Sequence, residues 1–131
     1  MDLVKYTYLQ DAIHCFQFMS SRTEVVDEFL VLYQPVLMAH DPNRPFLLVI
    51  DVTVSGLPAI TYVVSKVRKF YRQTPPPPIL RSVFVFRDRT LVRIGESAIN
   101  LLNVKASRRF VHESDFEDAI RWLLDNTNTK S

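Results

Sequence analysis

Apolar positions in this chain recur with two periods, and the two alternate along its length. Residues 4–10 ("VKYTYLQ") and 13–20 ("IHCFQFMS") are short, β-branched and aromatic, with Asp11 and Ala12 between them, which predicts a hairpin. Ser21 and Glu24 then have capping-box spacing, and Val26, Phe29, Leu30, Tyr33 and Leu37 follow at helical period. Pro35 is expected to kink or divide that helix. "PFLLVIDV" is an almost unbroken apolar run, the mark of a strand covered on both faces. The helix after it points Ile60, Val63, Val64, Val67 and Phe70 inward and carries Lys66, Arg68, Lys69 and Arg72 elsewhere.

The second half repeats the alternation. After "QTPPPP", "ILRSVFVF" reads as another buried strand, and "RDRT" turns into a helix with Leu91, Ile94, Ala98, Leu101 and Leu102 as its apolar set. "RRFV" is a final short strand. The last helix opens with a second capping box, Ser114 to Glu117, and buries Phe116, Ile120, Leu123 and Leu124. The predicted order is ββαβαβαβα: a single α/β domain with a mixed, mostly parallel sheet, whose one antiparallel strand comes from the hairpin.

Composition narrows the function classes. The chain has 131 residues, 47% hydrophobic and 23% charged, an ordinary globular mixture. Its net charge of +2, with no stripe of interleaved basic and aromatic residues, argues against nucleic acid. No run approaches the roughly 18 apolar residues of a membrane span. An acid at position 2 and the missing apolar leader argue against secretion, so a soluble cytoplasmic protein is expected. With only two glycines, the chain has no Gly-rich phosphate loop, and no cofactor is expected.

The candidate chemistry is sparse. His14, His40 and His112 lack metal-ligand spacing, so no metal is expected. Cys15 and His14 are neighbours in a predicted strand and point to opposite faces, which makes Cys15 a buried structural thiol. Asp51 ends a buried strand, where α/β proteins place functional carboxylates; the plainer role is to bond the next loop. Ser55, just before Gly56-Leu57-Pro58, is either a regulated hydroxyl or the N-cap of the next helix, with Pro58 in its first turn. Capping is the cheaper explanation, at about 1 kcal/mol. Arg87, Arg89 and Arg93 cluster after the fourth strand, a seat for a carboxylate, a phosphate or an acidic partner, or simply a solvated loop. Lys105, Arg108 and Arg109 form a second basic segment. Pro75 to Pro78 read as a stiff spacer, with a polyproline ligand as the lesser alternative.

The strand that runs into "VSGLPAI", and the ending "VHESDFEDAIRWLL", resemble the STAS domain, and specifically the group related to sporulation anti-sigma-factor antagonists. The resemblance is strongest over residues 46–124. Thr53 and Val54 stand where that family carries an aspartate and a first serine, while Ser55 corresponds to the serine that a kinase phosphorylates in members that act as switches. The resemblance implies a non-catalytic protein-interaction or signalling module of bacterial type, with a protein partner and a switch at Ser55. Two alternatives stay open: a carrier of a small apolar or lipid ligand, since STAS-like folds also resemble lipid-transfer domains, and an enzyme built on Asp51, Ser55 and the arginines. Oligomeric state and strand order are not readable from the residues.

Overall fold

A computed structural model of the chain describes residues 2–102 and 106–125. Its elements run β1 (Val4–Leu9), β2 (Ile13–Phe18), α1 (Glu24–Ala39), β3 (Phe46–Asp51), α2 (Ile60–Gln73), β4 (Leu80–Phe86), α3 (Arg89–Asn100), β5 (Ser107–His112), a 3₁₀ turn (Glu113–Asp115) and α4 (Phe116–Leu124). The ββαβαβαβα order and the mostly parallel α/β sheet follow the reading of the hydrophobic pattern. β1 is antiparallel to β2, and every later neighbour pairs in parallel.

Strand order in the sheet is β1-β2-β3-β4-β5, the same as in sequence. Each crossover therefore steps one strand in the same direction. Crossovers of a single hand then stack their helices on one face. The core divides accordingly. α1, α2 and α3 cover the face that carries Phe16, Phe18, Phe46, Leu48, Ile50 and Phe86, while α4 alone covers Ile13, Cys15, Leu47, Val49, Val83 and Val85 on the other. β3 lies mid-sheet with two strands on each side and helices over both faces, and it is buried from Phe46 to Ile50, which is why its sequence does not alternate.

Several local expectations change. The hairpin reverses at Gln10 and Asp11, both left-handed (φ 54° and 52°), and the Ala12 N–H donates to the Leu9 carbonyl at 3.0 Å. α1 runs unbroken through Pro35 and starts after Thr23, with no side-chain cap; Ser20, not Ser21, has the serine hydroxyl that accepts an amide, from Arg22 at 3.1 Å. At the far end of the chain, the His112 ring accepts the Ser114 amide at 3.1 Å and α4 begins at Phe116, so no Ser114–Glu117 box forms. On α3 the face toward the sheet holds Gly95 and Ala98, which leaves Ile94 and Leu101 exposed. A Cβ at Gly95 would sit 2.6 Å from Phe86 Cζ, so the contact with that ring takes a glycine, while Leu91, Val92 and Ile99 pack inward on either side of it. Leu124, at the last turn of α4, is also exposed.

Candidate functional site

Two places have the makings of a site: the carboxyl rim of the sheet, and a cavity beneath α2 and α3. The rim comes first because the sequence points to it. β3 and β4 are adjacent and parallel, so the segment after Asp51 and the bend after Phe86 leave the sheet at the same edge. Ser55 and the arginine bend thus share a rim, as expected.

The Asp51 carboxylate is engaged by its own surroundings. Oδ1 accepts the Thr53 amide at 2.8 Å and the Thr53 hydroxyl at 2.7 Å, and Oδ2 accepts Gln17 Nε2 at 3.2 Å. This is the turn-bonding role of a strand-end acid. The chain then folds back on itself: the Gly56 N–H donates to the Val52 carbonyl at 2.8 Å, and Gly56 takes φ +80°, a conformation that favours glycine.

Ser55 does not cap α2. The helix begins five residues later, at Ile60, after an extended Ala59 that makes no side-chain cap bond. The reason lies in the next two residues. Proline disfavours helical geometry in the residue before it, here Leu57, and Leu57 and Pro58 are drawn in against the core instead of opening a turn. The Ser55 hydroxyl instead donates to the Gly56 carbonyl at 2.9 Å. Beside it, Val54 is 51% exposed.

The arginines lean toward β5. Arg87 Nε lies 3.5 Å from Glu113 Oε1, and Arg89 donates to the Ser114 hydroxyl at 3.5 Å, all of these residues being exposed. Arg93 is exposed one turn further along α3. Among the described residues no hydrogen bond or ion pair joins Asp51 or Ser55 to these arginines. Of the second basic segment, Lys105 lies outside the described residues, while Arg108 and Arg109 point to opposite faces of β5. The guanidinium of Arg109 stacks on the Trp122 ring at 4.7 Å, with Arg81 at 4.1 Å.

Distance in sequence hid one cluster. His14 on β2 and His40 after α1 pack against the Phe46 ring, with centroids 4.8 and 4.9 Å away. Burial lowers the pKa of His14 and the His40 charge lowers it further, while its Nδ1 bonds the Tyr6 hydroxyl at 2.7 Å. Among the described residues no group of three or more His, Cys, Asp or Glu converges on a metal-sized space. Cys15 is buried on the other face from His14, and burial, with Asp51 adding to it, pushes its thiol up to about 11.

The cavity is the feature that sequence reasoning missed. It encloses about 90 Å³ between the sheet and two helices. Leu48, Ile50, Ser82 and Phe84 form its floor; Val63, Val67 and Tyr71 come from α2, and Gly95, Ile99 and Leu102 from α3 or its end. Leu57 and Pro58 close the end nearest the rim, so the corner that presents Ser55 also walls the cavity. Nearly all of the lining is apolar. Ser82 is the exception on the floor, a polar residue only 2% exposed. Its trace in the sequence is a single serine amid "ILRSVFVF", on the side of the strand that alternation turns toward the three helices.

Arg108 also lines the cavity and is directly across from Ser82 in the β4–β5 register. Its Nη1 donates to Asn100 Oδ1 at 3.4 Å. Nearby, the Tyr71 hydroxyl is bonded to that of Tyr33 at 2.8 Å. Burial raises the pKa of Tyr71 and lowers that of Arg108, and each group's charge opposes the other's shift. No described helix is long and apolar enough to cross a membrane. No family model, curated protein or solved structure matches the chain.

Proposed function

We propose that this chain is a non-catalytic, cytoplasmic protein-interaction module of STAS-like type, docking a protein partner through the carboxyl rim and switched by modification of Ser55. One observation carries the reading: the Ser55 hydroxyl is not spent on starting α2 and sits half-buried at a corner whose next residue out, Val54, is exposed. A phosphoryl group there would add up to two negative charges beside an apolar contact point. The arginine bend on the adjacent strand supplies a cationic border to the same rim. Protein partners recognise such mixtures of an apolar anchor and rim charge.

The test uses a partner captured from native lysate on the full chain and then purified. Ser55→Ala is expected to change stability by less than about 0.5 kcal/mol, as for a surface residue whose bond is local, instead of the larger loss of a helix cap. Ser55→Asp is expected to keep the fold and to change partner affinity by about tenfold, a typical effect of a charge placed at an interface. Equal partner binding by Ser55→Asp and the native chain would count against the switch.

A further inference from the structure

We propose that the free edge of β1 pairs antiparallel with the β1 edge of a second copy of this chain, about a two-fold axis at Thr7, joining the two five-stranded sheets into one. β1 ends the sheet and has β2 as its single neighbour. In an antiparallel pair, alternate residues turn both backbone groups toward the neighbouring strand. The Leu3 carbonyl accepts the Met19 amide at 2.8 Å, so Leu3, Lys5, Thr7 and Leu9 face β2, and Val4, Tyr6 and Tyr8 face outward.

The outward groups are not equivalent. Glu28 Oε2 accepts the Val4 amide at 2.9 Å and the Leu3 amide at 3.0 Å, which closes that end of the edge. Among the described residues no hydrogen bond reaches the outward N–H and C=O groups of Tyr6 and Tyr8. What remains open is Tyr6 and Tyr8, with Thr7 between them.

That spacing is its own complement. Around an axis at Thr7, Tyr6 of each copy faces Tyr8 of the other, and the two pairs exchange four hydrogen bonds. An axis at Tyr6 would set Val4 against Tyr8 and need the amide that Glu28 holds. An axis at Tyr8 would set Tyr6 against Gln10, whose left-handed φ of 54° lies outside strand geometry. One register therefore uses every open group and disturbs nothing.

The side chains agree with it. Tyr6 and Tyr8 are 41% and 51% exposed, on the same face as Phe16. Their hydroxyls are anchored at His14 Nδ1 and at the Asp11 carbonyl, so both rings are set before a partner arrives. The pairing adds two Tyr6–Tyr8 cross-strand ring contacts, a stabilising class in sheets. On the other face, Lys5 of each copy stands across from Leu9 of the other, at the end where that chain turns through Asp11. Unlike charges meet at each end and the two lysines stay apart. A contact one short strand wide falls below the roughly 1,200 Å² of a stable interface, so the dimer is weak.

The experiment follows sedimentation velocity of the full chain from about 10 µM to about 1 mM, a span that covers weak association. A concentration-dependent shift from monomer to dimer is expected. Tyr8→Pro deletes one outward N–H where an edge strand accepts proline, and should weaken association at least about tenfold, with a denaturation midpoint confirming that it is folded. Cysteine cross-linking reads the register in a Cys15→Ala background, because Cys15 is opposite Thr7 within the chain. Thr7→Cys should form an intermolecular disulfide under mild oxidation, since its Cα atoms meet at about 4.5 Å across the axis. Lys5→Cys would lie about 14 Å from its counterpart and should not. A single monomeric species up to about 1 mM would overturn the proposal. So would association that Tyr8→Pro leaves unchanged, or cross-linking of Lys5→Cys as fast as that of Thr7→Cys.

Discussion

The two faces of the sheet are built from alternate residues of the same strands, yet they pack differently. Under three helices, rings meet rings: Phe16 of β2 and Phe29 and Tyr33 of α1 meet edge-on or stacked with centroids 4.9 to 6.0 Å apart, and Phe46 of β3 joins at 5.9 Å from Tyr33. Against α4 stand smaller aliphatic groups and Cys15, closed over by Ala119, Ile120 and Leu123. Under one short helix these groups form a single cluster, with the rings of Phe116 and Trp122 at its margin. The face under three helices holds a cavity of about 90 Å³. Gly95 lets α3 approach Phe86 at one point, and Val63 and Val67 of α2 line the space beside it. The comparison teaches that continuous apolar lining and dense packing are separate properties.

The largest effects should come from cutting the centre of each face. Phe16→Ala removes a fully buried ring and is expected to cost about 3–5 kcal/mol; Leu123→Ala should cost about 2–5 kcal/mol by urea denaturation. The two should differ in reach. α4 has nine residues, too few to persist without its docking contacts, so Leu123→Ala should speed amide exchange in α4 before the rest of the domain. Uniform loss of protection in both variants would mean that the two faces unfold as one unit.

A smaller effect, on the α4 face, comes from alkaline pH. The Cys15 thiol ionises near 9 when exposed and near 11 in the fold. Below pH 9 both states keep the proton and the contribution is complete. Between pH 9 and 11 the unfolded chain gives up a proton that the folded chain retains, so stability falls as pH rises. The loss over that window should be about 2–3 kcal/mol, and Cys15→Ala should flatten the slope between pH 9 and 10. On the three-helix face Tyr33 and Tyr71 are also raised by burial, and their contribution begins about one unit later, from their ordinary value of 10. An unchanged slope in Cys15→Ala would place the alkaline sensitivity on the ring-lined face instead.

The subtlest comparison adds one methylene to each face. Val67 lines the cavity, whereas Val83 is fully buried under α4. Val67→Ile is expected to stabilise by about 0.8 kcal/mol, the gain for one buried methylene. Val83→Ile is expected to destabilise by about 1 kcal/mol through overpacking. Equal signs in thermal melts would erase the packing difference between the faces.

Much of this architecture could be read from residue order. Short β-branched and aromatic runs, unbroken apolar runs and helical spacing placed every strand and helix, and "PFLLVIDV" announced a strand buried on both sides. The details that failed share a cause: they depend on how close two elements come. Ile94 and Leu101 had the right spacing for an inner face, but α3 approaches Phe86 so closely that Gly95 and Ala98 take that side. Ser55 had the right chemistry for a cap, but Leu57 and Pro58 are held by the core and the helix starts at Ile60. His14 and His40 looked unrelated until the crossover from α1 brought both to Phe46.

By itself, then, the sequence determined the α/β class, the element order, the covered central strand and the burial of Cys15, because each of these follows from local periodicity and from which side of a strand a residue faces. Tertiary structure alone decided that three helices share one face, that Ser55 is released from the helix start, and that Ser82 and Arg108, from different strands, line one cavity. Those outcomes depend on register between strands far apart in the chain and on volumes left between packed elements, and neither quantity is written in any single stretch of residues.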